Sequence, residues 1–103
     1  MLNNICMVGR LTNDVKFYNS KEDSKPLALF TLANNQSKDK ALFVDCRCYG
    51  KVAEIVNEYA KKGTMLSVVG RLETTTKKDG TEKLIIDVSS VDLISSKEKK
   101  EEE

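Results

Sequence analysis

Phe43, Arg47 and Tyr49 are the residues whose types and spacing could do the most in this chain. Read with a period of two, Ala41 to Tyr49 (ALFVDCRCY) sets Phe43, Asp45, Arg47 and Tyr49 on one face and Leu42, Val44, Cys46 and Cys48 on the other. The second face is what a strand shows to a core. The first carries two rings with a guanidinium between them, too mixed to bury without partners, and is therefore a candidate binding surface. Rings can stack on flat ligands and a guanidinium can grip an anion. Asp45 and Asp87 as a carboxylate pair for metal-dependent chemistry is a thin alternative.

Other chemistry is hard to assemble. The chain has no histidine, which removes the commonest general base and the commonest metal ligand. An enzyme is not expected, and neither is a cofactor or a metal. Cys46 and Cys48 share a face with Leu42 and Val44 and read as small buried hydrophobes. With Cys6 they offer three sulfurs, and neither a fourth ligand nor a base to activate a thiol is near in sequence. An odd cysteine count argues for reduced thiols and a cytoplasmic, nucleoid-associated protein. No apolar run approaches the roughly 20 residues of a membrane span, so no membrane association is expected. The 103 residues carry a net charge of +1 and fit a single domain. Setting aside residues 97–103, with three Lys and four Glu, leaves 14 cations against 12 anions. What matters is where the cations cluster.

The elements that must position this face follow from the hydrophobic pattern. A first strand reads from about Asn4 to Thr12, with Ile5, Met7, Gly9 and Leu11 alternating with Asn4, Cys6, Val8 and Arg10. Neither side is cleanly polar, as in a strand covered on both faces, and a sister subunit could supply the second cover. Val15 to Tyr18 is a short strand-like piece, followed by a mobile polar loop, Asn19 to Pro26. Leu27 to Asn34 and Ala41 to Tyr49 form a hairpin joined by the polar residues 35–40. Val52, Ile55, Val56, Tyr59 and Ala60 then recur at helical spacing, with Gly63 closing the helix and Lys61 and Lys62 at its negative end. Tyr59 is expected to pack on the core side. Thr64 to Thr75 and Thr81 to Ile94 are two more strands around a tight Asp79-Gly80 turn. The apolar set of the last strand shifts from Leu84, Ile86 and Val88 to Val91 and Leu93, which is what a bulge at Ser89-Ser90 would do. Residues 1–94 are thus expected to form one domain and 95–103 a disordered charged tail.

Val8-Gly9-Arg10-Leu11 recurs as Val69-Gly70-Arg71-Leu72. Both strands are expected to need a glycine where a small barrel bends sharply. The resulting class is all-β with one helix. Five long strands, with the helix between the third and fourth, are the order of the oligonucleotide/oligosaccharide-binding barrel, the OB-fold.

At this point the residues resemble a family. Asn3-Asn4-Ile5-Cys6-Met7-Val8-Gly9-Arg10-Leu11-Thr12, Phe30-Thr31-Leu32-Ala33, Tyr49-Gly50-Lys51-Val52-Ala53-Glu54 and Tyr59-Ala60-Lys61-Lys62-Gly63 are similar, in this order, to the bacterial single-stranded DNA-binding proteins. The resemblance spans about residues 3 to 94. It implies a homotetramer, with a homodimer as the smaller possibility, that wraps single-stranded DNA over basic grooves and aromatic rings. Phe43, Tyr49 and Tyr18 match the family's aromatic positions, while two further tryptophan positions correspond to Lys38 and Lys77. That exchange shifts the balance from stacking toward phosphate contacts, expected from Lys16, Lys38, Lys40, Arg47, Lys51, Arg71, Lys77, Lys78 and Lys83. Replication or recombination proteins are possible partners, although the family's acidic Pro-Phe recruiting tip is not matched by the Lys/Glu run that ends Glu101-Glu102-Glu103. The competing reading is a primosome or replication-restart adaptor on the same barrel, acting mainly through protein contacts.

Overall fold

The structure, a computed structural model, describes residues 1–19 and 25–95. Six strands and one helix follow one another: β1 (Ile5–Leu11), β2 (Lys16–Tyr18), β3 (Leu27–Ser37), β4 (Lys40–Tyr49), α1 (Gly50–Tyr59), β5 (Met65–Thr76) and β6 (Glu82–Ser95). The strand order β1-β5-β6-β4-β3-β2, with β1 also paired to β3, closes five strands into a ring and leaves β2 as a short flange on β3. Among the described residues the only parallel contact joins β4 and β6, at Cys46 and Arg47 opposite Ile86 and Asp87. This is the OB-fold barrel, with the helix between the third and fourth of the five long strands.

Closure depends on glycine where strands cross. Just past Gly9, β1 picks up β3 while still paired with β5: Arg10 lies between Met65 and Ala33, and Leu11 pairs with Leu32. A Cβ on Gly9 would sit 2.9 Å from the Ala33 carbonyl oxygen, and one on Gly70 would sit 2.2 Å from that of Asp87. The repeated Val-Gly-Arg-Leu therefore marks two places where backbones touch. At the second, Val69 pairs with Ser90 but Gly70 pairs with Val88, so Ser89 is the bulged residue, its hydroxyl donating to the Val69 carbonyl at 3.1 Å. This is the bulge expected from the parity change in β6.

Leu32, Leu66, Val68 and Ile86 fill the barrel, with Cys46 and Cys48 fully buried beside them. The helix covers one end, packing against β2, β3, β4 and β6. It starts at Gly50, whose φ of +67° favours glycine and whose N–H donates to the Pro26 carbonyl at 2.9 Å.

Four local expectations need correcting. The helix stops at Tyr59 on an extended Ala60, and Gly63 lies in the following turn, its N–H donating to the Leu11 carbonyl. The helix buries Ala53 and Val56, with Ala60 buried just past its end, so Ile55 and Tyr59 face outward, Tyr59 59% exposed. Small residues let the helix sit close on the barrel mouth, which the larger pair would have held off. The connection expected at 35–40 shrinks to Lys38-Asp39, because polar residues at the ends of β3 and β4 continue the ladder in solvent. Leu42, placed on the core face, is 45% exposed, because its part of β4 has run past the barrel into the hairpin. The loop residues 20–24, and the tail beyond Ser95, lie outside the described residues.

Candidate nucleic-acid interface

Register decides which side chains meet. A bulge between Asn35 and Ser37 sets Ala33 opposite Phe43, Thr31 opposite Asp45, Leu29 opposite Arg47 and Leu27 opposite Tyr49. On one side β2 adds Lys16 beside Leu29 and Tyr18 beside Leu27. On the other, β6 sets Asp87 beside Arg47, and β5 sets Arg71 beside Asp87. Residues opposite one another share a face. Tyr18, Leu27 and Tyr49 therefore form one row, and Lys16, Leu29, Arg47, Asp87 and Arg71 the next. Tyr18 lies two strand spacings from Tyr49, about 10 Å, and Phe43 lies about 20 Å from Tyr49 along β4.

The three rings are open: Tyr18 is 53%, Phe43 65% and Tyr49 42% exposed. A groove of about 520 Å³ crosses this face, gathering Lys16, Arg47, Tyr49 and Lys83 over a floor that includes Leu29, Thr31 and Ile85. Phe43 lies on the same face farther along the β3–β4 arm, outside the groove lining. Lys38 and Lys40 are exposed at that arm's tip and Lys77 and Lys78 at the tip of the β5–β6 arm, while Lys51 is exposed in the first turn of α1.

The charges on the floor are paired. Arg47 lies over the Tyr49 ring, 5.7 Å from its centroid, with Nη2 3.8 Å from Asp87 Oδ2. Among the described residues the buried Nε of Arg47 has no hydrogen-bond partner. Arg71 shares Asp87 at 4.0 Å and reaches Glu73 at 2.9 Å. Lys83 donates to Asp45 Oδ2, and the Thr31 hydroxyl donates to Asp45 Oδ1 at 2.7 Å. Lys83 holds the Asp45 carboxyl below its ordinary value against the opposing effect of burial; Thr31 and, more weakly, Lys77 add to the effect. Burial pushes the Cys46 and Cys48 thiols up to about 12, so both remain neutral core groups.

Sequence reading singled out the rings and cations but passed over three further parts of this face. Leu27 and Leu29 become groove floor because their odd-numbered face lies opposite Arg47 and Tyr49. Ile85, 5% exposed, is buried on the groove side rather than in the barrel, between polar neighbours at 83 and 87. The Asp45–Lys83 pair joins two strands that are distant in sequence. A cross-strand partner such as Thr31 could have been found only by fixing the β3–β4 register, and the bulge hides that register.

Among known proteins, the model described as the single-strand binding protein family matches residues 2–94. The chain is 36% identical over 101 residues to a single-stranded DNA-binding protein of Clostridium perfringens, covering 92% of this chain and 67% of that protein. It is 44% identical over 80 residues to one of Enterococcus faecalis, covering 72% and 42%. With one of Staphylococcus epidermidis the identity is 31% over 111 residues, covering 99% and 83%. The chain thus spans from under half to most of the length of such relatives. A closed OB barrel with an open aromatic face, and a family match over nearly every residue, place this chain in the single-strand binding protein family.

Proposed function

We propose that the chain binds single-stranded DNA with little sequence preference and without catalysis, serving replication, recombination or repair. The observation that carries this reading is the outward set of Tyr18, Phe43 and Tyr49 on one face of the barrel. Single-strand binding without sequence readout needs flat rings for unstacked bases and cations for phosphates. Here the rings line the face, while Lys16, Lys38, Lys40, Lys51, Lys77 and Lys78 make no ion pair among the described residues. Arg47, Arg71 and Lys83 sit in the same row system but are held by carboxylates. The names of the relatives favour this reading over the adaptor role. We further propose a homotetramer working with replication or recombination proteins. A single chain leaves Val8, Leu93 and Ile94 exposed, which supports assembly.

The test is a titration of oligonucleotide and duplex at several salt concentrations. Tight binding to the single strand is expected, with log affinity falling by about 0.7 per log unit of salt for each phosphate neutralised. If all six of those lysines engage, the slope is about −4 per subunit. Equal affinity for duplex and single strand would refute the reading.

A further inference from the structure

Asp45 is the odd member of the ring-bearing face, because an anion there opposes the polyanion that the face is proposed to bind. Its geometry suggests a purpose. One carboxylate oxygen takes the Thr31 hydroxyl and the other takes Lys83. Beside it, Asp87 is shared by Arg47 and Arg71. The floor therefore carries its own counter-ions, while among the described residues lysines without carboxylate partners surround it: Lys38, Lys40, Lys77 and Lys78 at the hairpin tips, Lys16 on β2 flanking the groove and Lys51 in the first turn of α1.

We propose, building on the single-strand reading, that Asp45 is a specificity determinant: by holding Lys83 it denies the groove floor to phosphate and reserves it for bases. A phosphate approaching Lys83 meets Asp45 at nearly the same distance, so attraction and repulsion largely cancel. A neutral base suffers no such repulsion and gains stacking on the rings. Polyanions without bases are left with the unpaired lysines around the floor, Lys16 among them. The Asp45 and Lys83 side chains are 36% and 39% exposed, so the pair is within reach of a ligand.

Two probes separate this claim from the reading beneath it: inorganic polyphosphate, titrated directly by calorimetry, and an oligo-dT strand. Asp45→Asn keeps the oxygen that Thr31 uses and frees Lys83. The variant is expected to bind polyphosphate with a salt slope steeper by about 0.7, one added phosphate contact at the single-strand value. That is roughly a fivefold gain in affinity on going from 1 M to 0.1 M salt, beyond the wild-type change. Asp45→Ser, checked by its thermal melt, is expected to give the same gain. The gain is expected to vanish in Asp45→Asn/Lys83→Gln. Polyphosphate affinity that is unchanged or weaker in both Asp45 variants overturns the proposal, as does a gain that survives the loss of Lys83. Failure of the wild type to bind oligo-dT would instead refute the single-strand reading, and the inference with it.

Discussion

Phe43 is 65% exposed and Tyr49, partly covered by Arg47, 42%, so both rings are open to a ligand and removing Phe43 costs the fold little. Stacking is worth about 1 to 3 kcal/mol per base. Phe43→Ala and Tyr49→Ala are each expected to weaken single-strand affinity by roughly 5- to 150-fold. Stability should stay within about 0.5 kcal/mol for Phe43→Ala, because that ring is 65% exposed on the solvent side of the hairpin. Fluorescence anisotropy beside a thermal melt checks both outcomes, and an affinity that survives both truncations would remove the stacking role. Asp45 has its own pH signature. Its carboxyl is lowered below the ordinary 3.8, so the stability it contributes is present above that value and is lost as the pH falls through the lowered one. The outward set Phe43, Asp45, Arg47 and Tyr49 is legible from parity alone, since a strand has only two faces. That Arg47 is held by Asp87 is not, because the two residues lie on different strands.

The elements divide by how local their causes are. Gly70 and Gly80 illustrate two kinds of glycine. At Gly70 an added Cβ would strike the Asp87 backbone at 2.2 Å, whereas at Gly80 the space is open and the objection is a φ of +93°. Gly80→Ala is expected to cost about 1 to 2 kcal/mol. Gly70→Ala is expected to cost more, because β5 and β6 must separate at the bulge that turns the barrel. For a domain of this size each kcal/mol lowers the melting temperature by roughly 4 to 8 °C, so calorimetry of the two variants ranks them. A Gly70→Ala melt at or above that of Gly80→Ala would mean that this close approach is not needed. The β6 bulge could be read from its own strand, since Leu84, Ile86 and Val88 change parity before Val91. The β3 bulge could not. It falls in the polar stretch Asn34 to Ser37, where no apolar residue reports which face is which, and without it the partner of Phe43 would be Asn34 rather than Ala33. Helix phase failed for a related reason. Ile55 and Tyr59 satisfy the period, but the barrel mouth accepts the helix on Ala53 and Val56.

At the scale of the molecule, each barrel presents the ring-bearing groove and leaves apolar side chains on its surface. Leu42 and Leu84, on the distal parts of β4 and β6, are 45% and 61% exposed, and Leu93 and Ile94 add to them near the end of β6. The proposed tetramer would cover part of that surface and set several grooves on one particle. Multi-angle light scattering is expected to give four times the chain mass, unchanged in stoichiometry when oligonucleotide is added. A monomer at micromolar concentration would exclude wrapping of one strand around an assembly. Among the described residues, no helix is long and apolar enough to cross a membrane.

Alternation, turn chemistry and a change of period are local signals, and they sufficed for the strand count, the single helix, the barrel class and the outward face of β4. Which side chains share the groove depended on register and closure. Those are set by the bulges in β3 and β6 and two glycine crossings that bring Thr31 to Asp45, Lys83 to the same carboxylate, and Asp87 between two arginines. The physical reason is that a strand's parity is fixed by its own backbone. The neighbour that a side chain meets is fixed by how far each strand slides past the next, and that slide is settled only when the whole ring of strands closes around its core.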